Sequence, residues 1–178
     1  MAPQTVDVHI ATFTELDART FHDLLRLRLD VFVVEQRCPY PELDGRDVEP
    51  GTRHLWLTRP GALPHDDALP HDGAPPHDGA LPHDGAPPRD GDVLAYLRLL
   101  ADPGGVTRIG RVVVAPAARG GGLAGRLMTE ALRLVGDRPC VLEAQAHLAG
   151  FYAGHGFTAT GPQYVEDGIP HLPMRRQH

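Results

Sequence analysis

The sequence predicts an α/β (α+β) fold, strands and helices around one core, on three observations. Apolar, β-branched runs at 54–58, 93–100 and 107–114 read as strands. Residues 14–34 and 123–135 repeat their apolar side chains at helical spacing. Between the third of those strands and the second helix stands Arg119-Gly120-Gly121-Gly122, a glycine run that turns a strand directly into a helix. The length, 178 residues, suits one domain with a sizeable core.

Each element has its own local reason. Residues 8–13 alternate as a strand. Thr14 is expected to cap the first helix, with Asp17 at the third helical position, a capping-box variant. Leu16, Phe21, Leu24, Leu25, Val31 and Phe32 carry that helix to about residue 34, and Pro39 and Pro41 forbid its continuation. A polar loop at 42–53 leads to the strand at 54–58. The strands at 93–100 and 107–114 are joined by a turn at Asp102-Pro103-Gly104-Gly105. The helix at 123–135 places Leu123, Leu127, Ala131 and Leu134 on one face and Arg126, Glu130 and Arg133 outside. A strand at 141–145, a short helix at 147–155 and strands at 157–161 and 171–175 complete the order.

Residues 60–92 break this rhythm. From Ala62 they hold five copies of a six-residue unit, ALPHDD, ALPHDG, APPHDG, ALPHDG and APPRDG. The segment has no aromatic and no β-branched residue, so it cannot build a core and is expected to be disordered. His65, His71, His77 and His83 would share one face of a polyproline II chain but sit ~19 Å apart, too far for one ion. No metal is expected. A longer surface loop costs only ~0.6 kcal/mol per doubling of length, so a tolerated repeat expansion accounts for the segment.

The net charge of −6 arises in this repeat, which has seven Asp and one Arg. The rest balances 16 acids against 16 arginines, without the basic excess of a nucleic-acid binder. No segment has the ~20 apolar residues of a membrane span, and none reads as a signal peptide. Two cysteines, Cys38 and Cys140, are too few for a disulfide framework. The expectation is a cytoplasmic protein; a homodimer is left open.

The glycine junction carries the chemistry. First-turn N–H groups of a helix point outward, and the helix dipole adds partial positive charge. Glycine admits a diphosphate without a Cβ in the way, and Arg119 adds a full charge. A nucleotide P-loop needs a lysine, and the chain has none. Gly120, Gly122 and Gly125 satisfy GxGxxG, with Glu143 about 20 residues later, but only one βαβ unit follows.

The pattern Arg119-x-x-Gly122-x-Ala124 resembles the pyrophosphate loop of the GNAT acyltransferases, which bind acetyl-CoA. Over nearly the whole chain except 60–92, the segments LRLRLDVFVVEQRCPYPELDGRD (25–47), IGRVVV (109–114), AQAHLAGFYAGHGF (144–157) and YVEDGIPHLPM (164–174) resemble the ElaA family of that superfamily. The resemblance implies a mixed, mostly antiparallel sheet flanked by helices, with the repeat inserted between strands 2 and 3. It implies acetyl-CoA as acyl donor and an amine acceptor, small molecule or protein. It implies that Val112, Val113 and Val114 offer backbone groups to the acyl carbonyl and pantetheine arm. Arg119, Gly120, Gly121, Gly122, Leu123, Ala124 and Gly125 would hold the pyrophosphate.

Acyl transfer from a thioester needs a donor for the carbonyl oxygen, a route for the amine's proton and an acid for the thiolate. Tyr152 stands at the tyrosine of Tyr-x-x-x-Gly-Phe, which in many GNAT enzymes reaches the cofactor sulfur. Glu143 and His147 are the main candidates for the base, with Glu35 and Glu166 behind them; imidazoles titrate near neutrality. Arg28, Glu35, Gln36, Asp167 and His171 are expected to wall the acceptor pocket. Arg28 and Glu35, seven apart, share a helix face, and an arginine within an apolar helix needs an anionic partner from protein or substrate. Residues 166–171 read as a turn closing over the acceptor. Two other readings fit the same loop: a non-catalytic acyl-CoA-binding regulatory module, and a longer-chain acyltransferase suggested by Arg28-x-x-Val31-Phe32.

Overall fold

The structure, a computed structural model, describes residues 5–38, 40–60 and 93–177. Its elements run β1 (Asp7–Ala11), α1 (Ala18–Arg28), β2 (Arg53–Thr58), β3 (Val93–Asp102), β4 (Val106–Val114), α2 (Leu123–Val135), β5 (Cys140–Gln145), α3 (Ala149–Ala153), β6 (Thr158–Ala159), β7 (Tyr164–Glu166) and β8 (Ile169–Arg176). One mixed sheet has the order β1-β2-β3-β4-β5-β8-β6, with β7 also on β8. Every pairing is antiparallel except β4 with β5.

Successive side chains of β2 and β3 point to opposite faces, so two cores form. Leu55, Leu57, Leu97 and Leu99 pack with Leu127, Met128, Ala131 and Val135 of α2. Trp56, Tyr96 and Val113 pack with Leu24 and Leu27 of α1 and with Val31. Both strands are buried on both faces, which is why they read as near-continuous apolar runs rather than alternating ones. The bounds of α2 are those its periodicity predicts.

Several local expectations are corrected. Thr14 is not the cap of α1. Thr12 closes a capping box with Glu15 over a single turn, and Asp17 caps α1 by accepting from the Thr20 amide at 2.8 Å. The first helix is not uniformly α-helical to residue 34. After Arg28 it widens into a π-helical segment, Leu29–Glu35, closed by the Gln36 amide on the Val31 carbonyl. The helix expected at 147–155 is one tight turn, Ala146–Leu148, followed by α3. The strand expected at 157–161 shortens to β6. The turn expected at 166–171 shrinks to Asp167-Gly168, both at positive φ, between β7 and β8. Residues 61–92 of the repeat, with their four histidines, lie outside the described residues.

Candidate active site

The sheet splits along one seam. β4 and β5 pair only at Thr107–Cys140 and Arg108–Val141. Beyond Arg108 the two diverge, while β5 stays paired with β8 through Gln145–His171. The β4 edge from Ile109 onward therefore has no strand partner on that side. A bulge adds to this: Tyr96 pairs with Val113 and Arg98 with Gly110, so Leu97 alone faces Arg111 and Val112. A bulge leaves backbone groups outside the ladder, free for another partner. Arg111 adopts a left-handed φ of 56° there. Its guanidinium lies 2.7 Å from Glu42 and over the Tyr40 ring at 5.3 Å, contacts that hold this strained residue in place.

The seam opens into a cleft of about 950 Å³. Val112, Val113, Val114, Arg119, Gly120, Gly122, Leu123, Ala124 and Gly125 line it. Gly121 is not among the lining residues. Gly120 and Gly122 have φ of 80° and 78°, and nothing stands within 4 Å of where a Cβ would be. Gly122 is the N-cap of α2 and has no side chain to close the cap, so the first-turn amides stay available to an anion. These residues fit a CoA pyrophosphate: the donors are present and the approach is bare backbone.

Glu35, Gln36, Glu143, His147, Glu166, Asp167 and His171 line the same cleft. Tyr152 also lines the cleft and is 6% exposed. Burial pushes its phenol up to about 12, so it stays protonated at neutral pH. Among the described residues its hydroxyl has no hydrogen-bond partner. Glu143 accepts from Arg108 at 3.2 Å and from the Tyr164 hydroxyl at 2.9 Å. Nδ1 of His171 donates to the Ile169 carbonyl at 2.9 Å, which leaves Nε2 as the ring's acceptor. Arg119 binds Glu35 through both terminal nitrogens at 2.7 Å, and hydrogen bonding to Arg119 lowers the Glu35 carboxyl's pKa. Beside it the Gln145 amide donates to the Gln36 side-chain carbonyl at 3.0 Å.

Arg28 is not a wall of the cleft. It is fully buried, pairs with Glu42 and Asp47 and stacks over Tyr96, so its anionic partners come from the protein. Asp47 also receives Arg98, and Arg98 holds Asp44. His54 completes the cluster. Its Nε2 donates to the Asp47 carbonyl, and its Nδ1 accepts from the Tyr96 hydroxyl at 2.8 Å. Burial lowers the His54 pKa, consistent with a neutral ring. This network ties residues 40–48 against β3 and the β4 bulge.

Sequence reasoning missed Phe32, Cys38, Tyr40, Asp44 and Arg111 as lining residues. A signal existed for some: the acids Glu42, Asp44 and Asp47 sit in one short loop, and a buried Arg28 required such partners. Among the described residues no group of three or more His, Cys, Asp or Glu is placed to hold a metal, and no helix is long and apolar enough to cross a membrane.

Known proteins share this fold. Residues 89–178 match the acetyltransferase (GNAT) domain family. The chain is 44% identical to a UPF0039 protein of Mycobacterium tuberculosis over 165 residues, 91% of this chain and 87% of that protein. It is 33% identical to protein ElaA of Escherichia coli over 172 residues, 92% of each. A crystal structure of an acyl-CoA N-acyltransferase from Pseudomonas aeruginosa superposes with a TM-score of 0.75 at 40% identity, covering 97% of this chain and 99% of that one. The crystal structure of E. coli ElaA gives 0.76 at 31% identity, covering 97% and 100%.

Proposed function

The chain belongs to the GNAT acyltransferases, among the ElaA and UPF0039 proteins, and from that premise we propose that it transfers an acetyl group from acetyl-CoA to a primary amine by direct attack. The observation that carries this reading is the seam: a bare strand edge on β4 runs from the bulge at Arg111 to the glycine-capped start of α2, with the Tyr152 hydroxyl in the same cleft.

When bound, acyl-CoA supplies an activated thioester. The chain's own residues do the rest. The free edge at Val112–Val114 receives the amide-bearing arm as a strand would, and a backbone N–H freed by the bulge stabilises the acyl oxygen as it gains charge. The amides at Gly122–Gly125 and the Arg119 guanidinium hold the pyrophosphate. Tyr152 donates its phenolic proton to the departing sulfur. The amine's proton has His171 Nε2 and His147 to go to, directly or through water. Glu143, which lines the cleft, is held by Arg108 and Tyr164. Two buried, unbridged cysteines suit a reducing cytoplasm.

The test is free thiol followed over time with acetyl-CoA and longer acyl-CoA donors against a panel of amines. Amine-dependent release with acetyl-CoA supports the reading. Faster release with longer chains points to a longer-chain acyltransferase. Saturable binding without release with any amine makes the protein an acyl-CoA-binding regulatory module.

A further inference from the structure

Tyr164 does not line the cleft, but it touches two residues that do, His171 and Glu143. Gln145 faces His171 across β5 and β8, and His171 faces Tyr164 across β8 and β7. Opposed residues project to one face of a sheet, so these side chains form a row, with Glu143 on the same face and diagonal to His171. The Tyr164 ring stacks on the His171 ring, centroids 6.0 Å apart. Its hydroxyl donates to Glu143 at 2.9 Å, so one side chain bridges from β7 past β8 to β5. The other Glu143 oxygen is fixed by Arg108, which Asp102 holds in turn at 2.7 Å. A carbonyl can only accept, so the bond from His171 Nδ1 to Ile169 fixes the neutral ring as its Nδ1–H tautomer and leaves the Nε2 lone pair free. The His147 ring has no hydrogen bond or ring contact among the described residues, so nothing sets its tautomer or its direction. The other charged groups beside the row are Glu166, diagonal to His171 on β7, and Asp167 at the turn, whose carbonyl accepts from Cys38 Sγ. Among the described residues neither of those two carboxylates has an ion-pair or hydrogen-bond partner.

We propose that Tyr164 is a positioning residue for acyl transfer: its ring holds the His171 imidazole with Nε2 free, its hydroxyl ties Glu143 to the same row, and His171 thereby takes the proton of the attacking amine. This rests on the N-acyltransferase reading. A neutral amine attacks the thioester carbonyl carbon, the C–N bond forms and the C–S bond breaks. The amine's proton goes to His171 Nε2, and Tyr152 gives one proton to the sulfur. Solvent then takes the proton from His171 and returns one to Tyr152. Tyr164 exchanges none; partial burial and its bond to Glu143 push its phenol up to about 12.

Two readouts test this on the full chain, one of them independent of turnover. Nitrogen-15 NMR of histidine-labelled protein at alkaline pH reports which ring nitrogen carries the proton, and His171→Gln assigns the His171 signals. Wild type should show His171 as the Nδ1–H tautomer. Tyr164→Phe keeps the stack and should keep that tautomer; Tyr164→Leu removes the stack and should lose it to Nε2–H. Tyr164 lies on an exposed strand, so both variants should fold, and equal melting temperatures check this. The second readout is kcat against pH, with acetyl-CoA and whichever amine supports thiol release. Tyr164→Leu should lower kcat about tenfold with the KM for acetyl-CoA unchanged, and Phe should restore most of it. His171→Gln should lower kcat about 10²-fold and abolish the acidic limb of the profile. Tyr164→Phe should move that limb down by about 0.3–0.5, because a loosened Glu143 supports the imidazolium less. An Nδ1–H tautomer that survives Tyr164→Leu overturns the positioning role. An acidic limb that survives His171→Gln overturns the proton role and leaves N-acyl transfer standing. Release with no amine of the panel overturns the acyltransferase reading itself, and the tautomer in Tyr164→Leu still decides whether Tyr164 holds the ring.

Discussion

Glu35 and Arg119 form a bidentate ion pair, both contacts at 2.7 Å, joining the end of the π-helical segment to the loop before α2. Both residues line the cleft, and the pair occupies the guanidinium that a pyrophosphate would need. Glu35→Gln removes the competitor and a repelling charge. CoA affinity should rise about threefold to fivefold, the scale of an exposed pair, and the gain should shrink in high salt. Titration calorimetry at two salt concentrations reads both. A weaker affinity would mean that Glu35 positions Arg119 for the ligand rather than competing with it.

Tyr152→Phe deletes only the hydroxyl that lines the cleft and keeps the ring packed on Phe151 and Phe157. Turnover should fall about 10²-fold with CoA affinity unchanged, as expected for a lost general acid. Steady-state kinetics with calorimetry separate the two quantities. Wild-type turnover would confine Tyr152 to packing.

Gly122→Val places a branched side chain where φ is 78° and where no protein atom stands within 4 Å. The protein loses about 1–2 kcal/mol to the left-handed backbone, and the new methyls stand in the anion cradle. CoA binding should weaken at least tenfold in a variant that still melts cooperatively. Unchanged affinity would remove this loop from the site.

Acid should loosen the fold through the network behind the cleft. Burial pushes the Asp44 carboxyl up, but hydrogen bonds from Arg98 outweigh this and hold it at about 2, below its ordinary 3.8. Asp47 and Asp102 are likewise lowered on balance, burial being outweighed by Arg28 at the first and by Arg46 and Arg108 at the second. Carboxyls with depressed folded values bind fewer protons folded than unfolded. Their contribution is therefore full above about pH 4–5 and is lost as pH falls toward 2. The melting temperature should drop across that window, and Asp44→Asn should flatten the drop. A flat wild-type profile would mean the network contributes little.

Thr58 and Val93 face each other in the β2–β3 register, so a short hairpin can join them. Replacing residues 61–92 with a Gly-containing turn should leave melting temperature and CoA affinity nearly unchanged at physiological salt. The β3 start pairs with the end of β4, so this connection leaves from the cofactor end of the sheet. Release of a repulsive acidic segment would instead show as tighter CoA binding at low salt. A large loss of stability, or of a divalent-metal requirement, would show that the repeat has a structural or functional role.

Local signals were enough for the elements that rest on them. The bounds of α2 follow from apolar spacing begun by a glycine run, and β2, β3 and β4 from unbroken apolar stretches. Through those elements the sequence by itself determined the family, the sheet-and-helix architecture and the loop expected to meet a pyrophosphate. It did not determine where β4 leaves β5, because divergence is a matter of register between strands far apart in the chain. Nor did it decide whether Arg28 faces substrate or protein. Its need for an anion was legible, but the anion's source depended on residues 42–47 folding across β3. Only the tertiary structure set Glu35 on Arg119, fixed the His171 ring nitrogens and left Glu166 and Asp167 unpaired. Each depends on which distant groups share a few ångströms, and charge interactions fall off with distance in space rather than separation in sequence.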